Sequence, residues 1–382
     1  MTPAARAAAA IAVLDRVLAG ENAEKALTGW GRAARYAGSG DRAAVRDLVF
    51  DALRCKRSFA ALGGAMSGRG LVLGAARAAG LDPAQWFDGS THGPAPVADE
   101  PGHAPEGAAA LDVPDWLLPP LRAALGPDCD AVLAAMRQRA PVVLRVNLGK
   151  ASPAAARLAL GEDGIEAVPH PLALAALEVT GGARRIQASR AYAEGMVELQ
   201  DAASQAVVEA LPLRDGMKVL DLCAGGGGKT LAMAARARIT AFAHDIAARR
   251  MADLPARAQR AGVKVTLTET PEKTAPYDLI LTDVPCSGSG SWRRDPEGKW
   301  RLTPARLEEL QGLQSQILDR AAAMVAPGGV LAYATCSFLR AENEERISAF
   351  LAAHAAWRCT AQHRFTPLQG GDGFFLALLA RG

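Results

Sequence analysis

From residue 200 onward the chain repeats one pattern: a short apolar run, a turn, then a helical stretch. Lys218-Val219-Leu220-Asp221-Leu222 reads as a strand, Gly225 to Gly228 as the turn, and Thr230 to Arg236 as the opening of a helix. A further strand ends near Asp245, and others are expected at 278–283 and 329–335. Continuous apolar runs separated by helices belong to a parallel sheet covered on both faces, so the expected fold is a doubly wound α/β domain. Phe374-Phe375-Leu376, after the turn at Asp372-Gly373, is the expected last, antiparallel strand.

Two of those strands run into cysteines: Asp283-Val284-Pro285-Cys286-Ser287-Gly288 and Thr335-Cys336-Ser337. Ligands of open α/β sheets bind just beyond the carboxyl ends of the strands, so thiols delivered there point to thiol-dependent chemistry. The six cysteines (55, 129, 223, 286, 336 and 359) contain no C-x-x-C pair, and the six histidines show no ligand spacing. Neither a zinc site nor a disulfide framework is expected, and Cys55, Cys129 and Cys359 read as core residues.

The glycine turn, Asp221-Leu222-Cys223-Ala224-Gly225-Gly226-Gly227-Gly228-Lys229-Thr230, lets backbone approach a ligand at a helix N-terminus. A P-loop requires glycine where Cys223 stands. The dinucleotide fingerprint requires a third glycine where Thr230 or Leu231 stands. An S-adenosylmethionine turn is the reading left. Such a ligand carries no phosphate and needs acids for its ribose and amino groups, and Asp245 at the next strand end is placed to accept from ribose hydroxyls.

The rest of the chain divides as follows. Residues 1–87 are expected to be helical, with Val45, Leu48, Val49, Ala52 and Leu53 on one face and Asp41 as an N-cap. Residues 88–110 read as a disordered linker, because 88–107 hold four Pro, four Gly and no Phe, Trp or Tyr. Connecting helices occupy 111–139, a small α+β unit 140–198, and the α/β domain 199–382.

The net charge is only +3, but residues 1–60 hold ten Lys/Arg against six Asp/Glu, and Arg293, Arg294, Lys299 and Arg301 cluster after Cys286. Both patches suit a phosphate backbone. No apolar run is long enough to span a bilayer, so no membrane partner is expected, and without an export signal the cytoplasm is the expected location. Nothing in the chain demands more than a monomer.

These motifs resemble the Sun/RsmB-type bacterial RNA (cytosine-5) methyltransferases. Similar to that family are Leu199-Gln200-Asp201-Ala202-Ala203-Ser204-Gln205, the turn from Val219 to Thr230, and the first cysteine block with Arg293-Arg294-Asp295-Pro296 and Lys299-Trp300. So is the second block, Pro327-Gly328-Gly329 to Thr335-Cys336-Ser337, followed by Glu342-Asn343-Glu344. Val142 to Asn147 looks like the start of its small RNA-binding subdomain, and Asp41 to Val49 like a NusB-like helical domain. One departure lies in the turn: where the family usually reads Ala-Ala-Pro-Gly-Gly, this chain reads Ala224-Gly225-Gly226-Gly227-Gly228.

The resemblance implies a class I methyltransferase Rossmann-like domain with a seven-stranded mixed sheet, a small α+β RNA-binding subdomain and an N-terminal NusB-like domain. It implies S-adenosylmethionine as cofactor, held by Cys223, Ala224, Gly225, Gly226, Gly227, Gly228, Lys229, Asp245, Glu269 and Asp283. The implied reaction is methylation of cytosine C5 in RNA, 16S rRNA first, at a single-stranded or looped target. Cys336 would attack, Cys286 would assist product release, and Asp283 would hydrogen-bond or protonate the base at N3. Arg145, Arg293, Arg294, Lys299 and Trp300 would contact RNA. The alternatives are a tRNA target, or a non-catalytic RNA-binding or ribosome-assembly role on the same fold.

Overall fold

The computed structural model describes residues 1–381, which form two compact units. The first comprises Met1–Arg139 together with Trp292–Arg301; the second comprises Ala140–Ser291 and the chain from Leu302 onward.

The first unit is helical. Its principal helices are α1 (Pro3–Leu18), α2 (Ala23–Ala33), α3 (Ser39–Arg54), α4 (Lys56–Gly63) and α5 (Gly68–Ala78). Side chains of Thr2, Asn22 and Ser67 cap α1, α2 and α5 by accepting from backbone N–H groups of their first turns. Val45, Val49, Ala52 and Leu53 are buried with Leu14, Leu71 and Phe87, and Leu48 packs partly buried against them. Helix α3 starts two residues before the expected cap. Gly38 is the N-cap, and Asp41 instead accepts from the Gly38 N–H at 3.2 Å.

Residues 88–106 lack regular structure, yet they are tied down rather than disordered. The Arg69 guanidinium donates to Glu100 at 2.6 Å and to the Ala95 and Pro96 carbonyls at 2.9 and 3.1 Å. Arg77 donates to the Glu100 carbonyl at 2.9 Å. Two arginines on α5 thus satisfy backbone that composition alone leaves unpaired.

The second unit holds two sheets. The smaller has β1 (Val142–Val146), β2 (Glu166–Pro169), β3 (Ala176–Gly181) and β4 (Val197–Leu199) in the order β2-β3-β1-β4, every pair antiparallel. The larger has β5 (Lys218–Asp221), β6 (Thr240–Ala243), β7 (Val265–Leu267), β8 (Tyr277–Asp283), β9 (Val325–Thr335), β10 (Trp357–Phe365) and β11 (Phe374–Arg381). Its order is β10-β11-β9-β8-β5-β6-β7, parallel from β9 to β7, with β11 antiparallel to β9 and β10 antiparallel to β11. The strand order reverses between β5 and β8, which opens a crevice at their carboxyl ends. Leu220, Ile280, Leu281, Leu331 and Tyr333 are fully buried in the middle of this sheet. Among the described residues no single helix is long and apolar enough to cross a membrane.

Candidate active site

Parallel pairing of β8 with β9 sets Asp283 opposite Ala334. The loops leaving these two strands then carry Cys286 and Cys336 to the same place, with their sulfurs 3.4 Å apart. Both cysteines are free and half-buried. Lys229 reaches this point from the first turn of the helix Gly228–Arg236, and its ammonium donates to Asp283 Oδ2 at 2.7 Å. Burial opposes the charge on Lys229, but Asp283, together with Cys336 and Asp221, holds the lysine above its ordinary pKa.

The environment distinguishes the two thiols. Cys336 is held below the usual thiol range because Cys286 donates to it; burial and Asp283 oppose this, while the Ser291 hydroxyl at 3.8 Å and Lys229 add to it. Cys286 is pushed well up by keeping the shared proton, by burial, and by the nearby charges of Cys336 and Glu342. Lys229 and Ser291 beside Cys336, and Glu342 beside Cys286, favour Cys336 as the thiolate of the pair. With iodoacetamide, Cys336 is expected to alkylate with a midpoint below about 8.5, the free-thiol value. Lys229→Met should raise that midpoint, because the ammonium favours the thiolate. Peptide mass spectrometry across a pH series reads both midpoints, and a lower one at Cys286 would reverse the ranking.

The two cysteine loops are stitched together by Glu342, which is 0% exposed. Its carboxylate accepts from the Ser287 N–H at 2.8 Å, the Ser287 and Ser337 hydroxyls at 2.5 Å each, and the Gln314 amide at 3.0 Å. Asn343 donates to the Ser337 carbonyl at 2.8 Å and accepts from the Thr335 hydroxyl at 2.6 Å. Glu342 lies in a quoted motif, but nothing in its spacing marks it as the hub of the site. Two of its partners, Gln314 and Ser287, lie 28 and 55 positions away in the chain.

At the glycine turn, Gly225 and Gly227 take φ of 53° and 80°, and a Cβ on Gly227 would sit 2.2 Å from the Leu254 side chain. The Ala224 N–H donates to the His244 carbonyl, and Cys223 is half-buried with its thiol raised chiefly by burial. Asp245 is buried and accepts from the Gly225 and Ala247 N–H groups at 2.9 Å each and from Arg250 at 3.0 Å. Asp221 accepts from the Thr230 hydroxyl at 2.7 Å, its other oxygen is buried without a partner, and burial pushes its carboxyl up to about 7. Carboxylates at the ends of β5, β6 and β8 around a turn without side chains suit a ligand bearing hydroxyls and positive charge. Glu269 is exposed, just past the edge strand β7.

The residues expected to meet RNA are placed differently. Lys299 is 3% exposed, donates to the Arg54 carbonyl at 3.1 Å, and is pulled down to about 8 by burial. The Trp300 indole donates to the Leu53 carbonyl at 2.7 Å, and Arg293 is buried, its carbonyl accepting from Arg54 at 2.8 Å. These side chains dock Trp292–Arg301 into the helical unit, whose helix α3 ends with carbonyls in need of donors. Arg145 is 5% exposed and also turned inward, donating to the Gln200 side chain at 2.5 Å and the Gly228 carbonyl at 2.7 Å. Arg294 is exposed, in the same docked segment. Among the described residues no cluster of His, Cys, Asp and Glu could hold a metal ion.

Comparison with known proteins finds relatives for both sheets of the second unit. A model of the 16S rRNA methyltransferase RsmB/F family matches residues 208–380, and one of an RsmF/B-like, ferredoxin-like domain matches 113–184. Ribosomal RNA small subunit methyltransferase B of Klebsiella pneumoniae is 36% identical over 286 residues, 70% of this chain and 66% of that protein. The chain thus spans just under two thirds of the length of that relative. The protein of the same name from Xanthomonas campestris is 32% identical over 334 residues, 81% of this chain and 74% of its own length. The crystal structure of PH0851 shares the fold with a TM-score of 0.78 at 22% identity, covering 100% of this chain and 99% of that one.

Proposed function

We propose, from the premise that this chain belongs to the RsmB/F family of 16S rRNA methyltransferases, that it methylates C5 of a cytosine in small-subunit ribosomal RNA. The observation carrying this reading is the pair of sulfurs 3.4 Å apart beside the Lys229–Asp283 pair, at the ends of two adjacent parallel strands. The name shared by the curated relatives supports the ribosomal target.

S-adenosylmethionine, held by the glycine turn with Asp245 and Asp221, supplies an electrophilic methyl group. Cytosine C5 is too poor a nucleophile to take it unaided. The Cys336 thiolate adds to C6, forming a C–S bond and moving an electron pair toward C5, while Asp283 hydrogen-bonds or protonates the base at N3. Once C5 is methylated, its proton must leave before the C–S bond can break. With Cys336 bonded to carbon, the thiolate that did most to keep the proton on Cys286 is gone. Cys286 then gives its thiol proton to solvent and takes up the C5 proton, and Cys336 departs as thiolate while any proton held at N3 returns to Asp283. A base in a duplex cannot reach such a pocket, so the target cytosine lies in a loop or single strand.

The test is transfer of labelled methyl from S-adenosylmethionine to 16S rRNA isolated from a strain lacking the gene. The expected product is 5-methylcytosine at a discrete position, mapped by bisulfite resistance. Incorporation into tRNA alone would move the substrate, and incorporation into neither RNA would reject the activity.

A further inference from the structure

The run Gly225-Gly226-Gly227-Gly228 is the most flexible sequence a ligand turn can have, and it stands where related turns carry proline, at Gly226. A turn that must be ordered on binding weakens binding by the entropy of ordering it. The structure holds this turn from outside. Arg257, on the helix Leu254–Ala261, donates one guanidinium nitrogen to the Gly226 carbonyl and the other to Glu198 at 2.9 Å. Glu198 is buried and also accepts from Arg260. Arg145 donates to the Gly228 carbonyl at 2.7 Å. Arg145 and Glu198 face each other across the β1–β4 pair, so both holds originate in the small sheet.

We propose that Arg257 and Arg145 are positioning residues that replace the missing proline, clamping the carbonyls of Gly226 and Gly228 so that the small sheet stiffens the methyl-donor turn. This rests on the methyltransferase reading above. Charged donors suit the task because their bonds to carbonyls are stronger than neutral ones. Arg257 is the better residue to vary, since its side chain is 21% exposed whereas Arg145 is buried.

The experiment has two readouts on the full chain. Calorimetry measures S-adenosylmethionine binding, and hydrogen exchange of the ligand-free protein measures opening of residues 224–228. Arg257→Ala is expected to weaken binding about tenfold and to speed exchange in the turn while leaving β5 and β8 protected. Gly226→Pro placed in the Arg257→Ala background should restore most of the affinity. Among the described residues the Gly226 N–H makes no hydrogen bond and its φ is not left-handed, so proline removes no bond there. Unchanged affinity and unchanged exchange in Arg257→Ala would overturn the clamp, and so would a loss of affinity that proline does not restore. A wild-type chain that binds no S-adenosylmethionine, yet whose turn exchange still depends on Arg257, would reject the donor reading while upholding the clamp.

Discussion

Replacing Cys336 with alanine is expected to abolish methyl transfer, by about 10⁴-fold or more, because no other group can form the covalent bond to C6. Replacing Cys286 with alanine should have a different outcome. Addition to C6 and methylation still proceed, but the group positioned to take the C5 proton is missing. A protein–RNA adduct then accumulates and survives denaturing electrophoresis. The two variants are informative together because the sulfurs are 3.4 Å apart and differ only in what surrounds them. Ser291 and Lys229 lie on the Cys336 side, and Glu342 weighs against ionisation of Cys286. An adduct formed by Cys336→Ala and lost in Cys286→Ala would exchange the two roles.

Glu342→Ala should be the most damaging substitution outside the thiols. It removes an acceptor from the Ser287 N–H, from two hydroxyls and from the Gln314 amide in a buried site, although Gln314 keeps the Pro285 carbonyl at 3.0 Å. Each buried polar group left unpaired costs roughly 1–3 kcal/mol, so a loss of about 4 kcal/mol or more is expected in urea unfolding. Glu342→Gln keeps an acceptor oxygen and should recover part of that stability. Both variants should also lose activity, because the carboxylate sets the distance between the loops that carry the cysteines. A Glu342→Ala protein with wild-type unfolding midpoint would show that the loops hold together without it.

Much of this fold is legible in the chain. The strands expected at 218–222, 278–283 and 329–335 form within one to four residues of those bounds, at 218–221, 277–283 and 325–335, and the terminal strand follows from Phe374-Phe375-Leu376 after a turn. Both cysteines stand at strand ends, and the carboxyl-end rule for open sheets turns that position into a site. Burial of basic residues was not legible in the same way. Arg145, Lys299 and Trp300 carry the composition of an RNA contact, but each donates to a main-chain carbonyl inside its own unit. The linker shows the converse: its Pro and Gly content argues for disorder, while Arg69 and Arg77 on the preceding helix α5 pin it.

The sequence by itself determined the α/β architecture, the glycine turn and the delivery of two thiols to strand ends, because these depend on local periodicity and turn chemistry. Tertiary structure decided which thiol carries the charge, which carboxylate joins the two loops, and what holds a turn of four glycines in shape. Those outcomes depend on hydrogen bonds and electrostatic fields between residues distant in the chain, and such neighbours exist only once the strands have paired.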